Sequence, residues 1–376
     1  MTGVISRLAK LIGSFAVVTG LHLSAQSDTG VPGVAGGGDI SMLPALERHG
    51  VVYRDIDGKQ ADFVQMMRQR GCEYFRVRVF VEPTSDFSKN WGAVQDFAQM
   101  RELCRRITAA GGRILLCIHY SDTWADPEHQ TKPRSWQGLT GKDLEKQIYD
   151  YTTSLLQALA TDGSTPDTVQ VGNEITAGML WPDGKIQVKG GSSEQEQSFK
   201  NLVALFNAGA KAIRNCSSPP RPIRVALHAH GGGRPVSLWF IRKMAESGAD
   251  FDVAALSFYP QWNDDIDVLR SNVRSLIDDL GKEVSIVETG YPWRQYAQTE
   301  QARATLRWPL TPEGQVLFLR DLEQLIAAAP GGKCGVWYWW YPEARPLDVH
   351  QVYMGGAGSL VDSDGKPLPA MELLGK

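Results

Sequence analysis

Two glutamates close apolar runs in this sequence, and each stands where a β-strand would stop: "DTVQVGNE" ends at Glu174 and "EVSIVE" at Glu288. Paired carboxylates are what cleavage of a glycosidic bond needs. One must stay protonated to donate to the leaving oxygen, while the other stays ionised to stabilise or attack the anomeric carbon. Taken singly, either glutamate has the plainer reading of a capped or solvent-facing loop residue. Their company argues otherwise. Other strand-like runs carry Arg76 and Arg78, His119 (followed by Asp122, Trp124 and Asp126), Asn173, His228, Tyr259, and Trp337, Trp339 and Trp340. Arg76 and Arg78, spaced by two, face the same way on a strand. This pattern leads us to expect Arg78 to keep Glu288 ionised, Tyr259 to hydrogen-bond to it, and Asn173 to hold a sugar 2-hydroxyl. A lone histidine at a strand end is more often a hydrogen-bonded structural residue, and this is the plain reading of His119 and of His228.

Such residues need a frame that gathers strand ends at one place. Strand candidates are "GDISML" (38–43), "CEYFRVRVF" (72–80), "RILLCIHY" (113–120), "DTVQVGN" (167–173), "PIRVALHAH" (222–230), "VAALSFYP" (253–260), "EVSIVET" (283–289) and "CGVWYWW" (334–340). Between them lie helical patterns such as "DFAQMRELCRRITAAGG" and "SFKNLVALFNAGAKAIRN", apolar at three- and four-residue spacing and ending at Gly or Asn. Eight strands alternating with seven helices predict an α/β fold, a single-domain (β/α)8 TIM barrel, whose active site gathers at the C-terminal strand ends. An open doubly wound sheet would place a Gly-rich phosphate loop after its first strand, whereas "GGGDISML" puts the glycines before it. Residues 341–376 read as loop-rich, with a short helix that could close the barrel.

The 376 residues carry a formal net charge of −3, which gives no reason to expect nucleic acid or an anionic membrane as partner. Eleven tryptophans, many beside Pro, Gly or Asp, suit binding to sugar faces. Residues 1–25 read as a secretory signal peptide: Arg7 and Lys10 precede the apolar "LIGSFAVVTGLHL", which is too short to span a bilayer. Residues 26–37 read as a flexible leader and 38–376 as the catalytic domain. A secreted or periplasmic protein without a membrane anchor follows, with a monomer as the default state. The five cysteines show no CxxC or His-ligand spacing, so no metal site is expected. "VDSDGK" (361–366) lacks the later glutamate of a calcium loop and reads as a polar turn.

The runs "HYSDTWADPEHQTKPRSW" (119–136), "VQVGNEITAGMLWPDG" (169–184) and "VETGYPW" (287–293) resemble glycoside hydrolase family 53, the arabinogalactan endo-β-1,4-galactanases. That family lies in the large clan of retaining (β/α)8 glycosidases. The resemblance runs from about Gly38 to the C-terminus. It implies Glu174 as acid/base and Glu288 as nucleophile, with Arg78, His119, Asn173, His228, Tyr259 and Trp339 touching the sugar at the cleavage point. It also implies that Asp122, Trp124 and Trp181 line the neighbouring cleft, that the substrate is β-1,4-galactan, and that no cofactor is used. Several positions depart from the family pattern: Phe80 stands where Trp is usual, Phe258 where Tyr is common, and "HAHGGGRP" (228–235) is richer in glycine than usual. "YWWYPEA" (338–344) lacks the usual Tyr-Trp-Glu-Pro, so that either Glu343 replaces the displaced glutamate or an outer subsite is lost. The competing readings are another retaining endo-glycanase, acting on mannan or glucan, and a carbohydrate-binding barrel without catalysis. A phosphate-dependent aldolase lacks its strand-end lysine here.

Overall fold

The computed structural model describes residues 33–83, 92–188, 191–216, 222–262, 264–297, 306–347 and 350–375. The signal segment and most of the leader lie outside the described residues. Eight parallel strands close into a barrel in chain order: β1 (Ala35–Asp39), β2 (Tyr74–Val79), β3 (Arg113–Ile118), β4 (Thr168–Val171), β5 (Arg224–Ala229), β6 (Val253–Phe258), β7 (Glu283–Thr289) and β8 (Cys334–Trp340), which returns to β1. Helices α1 (Leu43–Arg48) and α2 (Phe63–Gln69) follow β1. Among the described residues, each later crossover has one long helix: α3 (Phe97–Ala109), α4 (Gly141–Thr161), α5 (Ser192–Cys216), α6 (Pro235–Glu246), α7 (Ile266–Leu280) and α8 (Pro312–Ala327). Side-chain oxygens of Asp62, Asp96, Asp265 and Thr311 accept backbone N–H groups at the starts of α2, α3, α7 and α8, and Gly281 ends α7 at φ 66°.

Alternation along the strands sorts the side chains. Leu115, Cys117, Ala226, Val253, Ala255, Val287 and Tyr338 fill the barrel interior, and Tyr74 and Val336 pack against them. Their neighbours, including Phe75, Val77, Leu116, Val169, Leu227, Leu256, Trp337 and Trp339, belong to the larger core beneath the helices.

The first strand differs from expectation. It spans Ala35–Asp39, so the glycines read as leader are the strand itself, and the residues expected to continue it turn into α1 instead. Close approach explains why. A Cβ on Gly37 would lie 2.5 Å from the Tyr74 carbonyl oxygen, and one on Gly36 2.5 Å from the Trp337 ring. At the C-terminus, Pro369–Leu373 forms a 3₁₀ turn, and a Cβ on Gly36 would also lie 2.8 Å from the Leu374 Cα, so the tail lies against β1. "VDSDGK" is a turn in which Asp362 accepts backbone N–H groups of Asp364 and Lys366.

Candidate active site

At the C-terminal mouth, β1 and β2 supply a buried ionic platform. Arg76 and Arg78 lean the same way, and each places Nη1 2.8 Å from one oxygen of Asp39. All three side chains are fully buried. Arg76 Nη2 reaches on to Asn173 Oδ1 at 2.8 Å, and sits 2.8 Å from Glu288 Oε1 as an ion pair rather than an aligned hydrogen bond. A buried cation of this kind is stable only with such compensation.

Glu288 reaches this platform because of a bulge. Along the β6–β7 ladder Leu256 pairs with Ile286, but the next pair is Ser257 with Glu288. Val287 is thus the extra residue and fills the interior. Strict alternation from Val287 would send Glu288 out beneath the helices, whereas the one-residue shift turns it inward. Tyr259 donates its hydroxyl to Glu288 Oε2 at 3.3 Å.

Glu174 is held in another way. Its backbone is left-handed, with φ 46°, a conformation that costs a non-glycine residue energy and aims its side chain across the mouth. Tyr120 and Tyr341, just past the ends of β3 and β8, share this strained conformation. The Glu174 backbone N–H donates to His228 Nδ1 at 3.1 Å, and Ser257 donates its hydroxyl to Glu174 Oε1 at 2.7 Å. No cation touches this carboxyl among the described residues.

The two carboxyls therefore differ electrically. Burial, reinforced by the negative charge of Glu288, pushes the Glu174 carboxyl up to about 8, against the pull of the Ser257 hydrogen bond and Arg76. Burial also raises Glu288, but there Arg76 in contact, Arg78 and the Tyr259 hydroxyl oppose it. When two such groups share one proton, the one without a cation keeps it. The asymmetry favours the proton on Glu174 and the negative charge on Glu288.

Both open into a cleft of about 1350 Å³. The loops after β3, β5 and β6 contribute Trp124, Asp126, Glu128, His230, Arg234 and Trp262, and those after β7 and β8 contribute Arg294, Tyr296, Tyr341, Leu347 and Tyr353.

The structure brings together Glu174, Glu288, Asn173, Tyr259 and Trp124 at this cleft. It corrects other expectations. The guanidinium on Glu288 belongs to Arg76, not Arg78. Arg78 is fully buried, with the rings of Trp124, Trp340 and Tyr341 each within 4.8 Å of its guanidinium carbon. Trp339 faces away from the cleft: it is fully buried beside Phe318, with its indole N–H donated to the Gly358 carbonyl. Alternation on β8 gives the cleft Trp340 instead. His119 and His228 lie buried beneath the cleft and are supports. His119 Nδ1 accepts the Ala125 N–H, and its ring packs on Phe80, which fills the place where tryptophan was expected. Asp122 braces two loops by accepting the N–H groups of Glu82 and Arg134. Trp181 is outside the cleft lining, with Lys185 Nζ 4.2 Å from its ring centroid. Glu343 is buried, accepts the Met42 N–H and does not line the cleft, so it replaces no outer contact. Asp39, Ser257 and the Arg76–Glu288 contact are not among the expectations from sequence, and Trp340, named there only as a residue of its strand, takes the place expected for Trp339. Counting alternate residues back from the strand ends would have found Trp340 and Ser257.

A family model for glycosyl hydrolase family 53 matches residues 35–374. An arabinogalactan endo-β-1,4-galactanase of Cellvibrio japonicus is 35% identical over 336 residues, 85% of this chain and 84% of that protein. An endo-β-1,4-galactanase of Bacillus subtilis is 29% identical over 90% of this chain and 84% of its own length. Among solved structures, the family 53 catalytic domain from Ignisphaera aggregans superposes with a TM-score of 0.81 at 28% identity, covering 92% of this chain and 98% of that one.

Proposed function

The chain belongs to glycosyl hydrolase family 53, a family of glycosidases, and from that premise we propose that it is a retaining endo-β-1,4-galactanase. The observation that carries the mechanism is the asymmetry of the two buried carboxyls: Arg76 lies 2.8 Å from Glu288, while Glu174 receives only neutral donors. The galactan chain lies along the cleft with one glycosidic bond between the two. Glu174 gives its proton to the leaving oxygen as Glu288 attacks the anomeric carbon, and the C–O bond breaks to leave a galactosyl ester on Glu288. Ester formation removes the negative charge that helps hold the Glu174 proton, so the ionised Glu174 becomes a base. It then takes a proton from water, whose oxygen attacks the same carbon and releases Glu288. Two inversions leave the anomeric configuration unchanged. The cleft lies between walls from loops on both sides of the mouth, which suits attack within a chain. The names of the relatives support galactan as substrate.

Residues 1–25 support export to the periplasm or the medium as a cleavable signal. No helix among the described residues is long and apolar enough to cross a membrane. Reducing-sugar release from linear β-1,4-galactan, beside β-mannan, cellulose and β-1,3-galactan, tests the reading. Release from galactan alone, abolished by Glu288→Gln, is the expected result. Release mainly from another glycan moves the substrate, and binding without release by the unaltered protein overturns the catalytic reading.

A further inference from the structure

Ser257 has no part in the mechanism above, yet it joins Glu174 to a buried histidine. His228 Nδ1 receives two N–H donors, the Glu174 backbone at 3.1 Å and the Gln170 side-chain amide at 2.9 Å; Asn173 Oδ1 also lies 3.2 Å from it, but that oxygen accepts from Arg76 Nη2 at 2.8 Å. A ring nitrogen that accepts carries no proton, so His228 is the neutral tautomer with hydrogen on Nε2. That N–H points at Ser257 Oγ, 2.9 Å away. The serine hydroxyl, having accepted from the histidine, has one hydrogen to give, and Glu174 Oε1 is 2.7 Å from it. The direction of every bond in the chain Glu174 N–H, His228, Ser257, Glu174 Oε1 is therefore fixed, and the chain closes on the residue where it began.

From this geometry we propose that Ser257 is a positioning residue for the acid/base: it occupies Oε1 as an acceptor and so confines the acid proton to Oε2. Oε2 has no hydrogen-bond partner among the described residues and is not enclosed, since Glu174 lines the cleft. Without the serine, either oxygen could hold the proton and the carboxyl could rotate about its last bond, so only part of the population would present an acid to the leaving oxygen. After the proton has left, the same hydroxyl stabilises the carboxylate that must accept a proton from water. The proposal rests on the glycosidase reading of the site.

The groups facing Glu174 fix the sign of the pH effect. Glu288 on β7 and Asp126 after β3 raise it, and Arg76 on β2 and Ser257 on β6 lower it. His228 on β5 and His230 just after it are neutral, because burial holds the first well below the usual histidine range and lowers the second to about 4. Removing Ser257 takes away a donor to the ionised form, so the proton is held to higher pH.

The test is Ser257→Ala and Ser257→Thr in the full chain, assayed on β-1,4-galactan and on a 2,4-dinitrophenyl β-galactobioside, whose leaving group needs no proton. We expect Ser257→Ala to lower kcat/KM on galactan by about tenfold or more, the loss of one charge-assisted hydrogen bond. On the dinitrophenyl substrate the loss should be under about threefold, the alkaline limb on galactan should move to higher pH, and Ser257→Thr should restore most of the activity. Equal losses on both substrates, an unmoved alkaline limb, or failure of the threonine to rescue would each overturn the proposal. If the unaltered protein cleaves neither substrate, the glycosidase reading fails instead.

Discussion

The two sides of the barrel mouth carry the same acidic residue in opposite electrical settings. On the side of β7, β1 and β2, Glu288 meets a guanidinium that is itself fixed by a buried aspartate. On the side of β4, β5 and β6, Glu174 meets a serine, a neutral histidine and its own strained backbone. The residue type decides neither role. The neighbouring strands do, by supplying a cation to one carboxyl and withholding it from the other. The bulge at Val287 and the left-handed turn at Glu174 are the local distortions that bring both into one cleft.

The comparison breaks most severely when either carboxyl is neutralised. Glu288→Gln should lose on the order of 10⁴-fold or more in kcat on every substrate. Glu174→Gln should lose about 10²- to 10⁴-fold on galactan but far less on activated aryl galactosides; equal losses on both would contradict the division of labour. Next in size, Arg76→Met leaves Asp39 and Glu288 buried without their shared cation. Chemical denaturation should show about 3–5 kcal/mol lost. Arg76 holds Glu288 down, so without it Glu288 takes up a proton at higher pH, and the acid limb of kcat/KM should rise.

The tryptophans sharpen the same contrast. Trp339→Ala should cost about 3–5 kcal/mol in stability by emptying a core site, with kcat of the folded fraction retained. Trp340→Ala should cost about tenfold in kcat/KM instead, because its ring lies in the cleft over Arg78. A further effect concerns thermal stability. Glu174 holds its proton to about 8 in the folded state, well above the usual carboxyl range. Folding therefore loses stability as pH rises from the ordinary value through 8. Glu174→Gln removes that loss, so its Tm should exceed that of the unaltered protein at pH 8 and match it below pH 4. A lower Tm at pH 8 would mean that the folded state does not hold this proton above the ordinary carboxyl range.

Much of this was legible in the sequence. The strict alternation of runs gave the barrel, and the strand-end rule placed Glu174, Asn173, Tyr259 and Glu288 at one mouth. The errors arise where two-residue periodicity was not followed closely or fails. The resemblance implies Trp339, whereas two-residue alternation puts Trp337 and Trp339 on the outward face and Trp340 inward. Arg78 was chosen over Arg76 because both point inward, and only barrel depth and stagger decide which reaches Glu288. Ser257 looks like an ordinary strand residue, although it stands two places before Tyr259 and so shares its inward face. Gly36 and Gly37 look like part of a leader because glycine usually marks flexibility. Here it marks strands too close together for a Cβ.

The assignment of roles is tested most directly by azide rescue of small-side-chain variants on an activated aryl galactoside, with the anomer of the product identified by NMR. Glu288→Ala should give the α-galactosyl azide, since azide replaces the missing nucleophile in a single inversion. Glu174→Ala should give the β-galactosyl azide, since azide attacks the ester already formed on Glu288. The reversed pair of products would contradict the account by exchanging the two carboxyls.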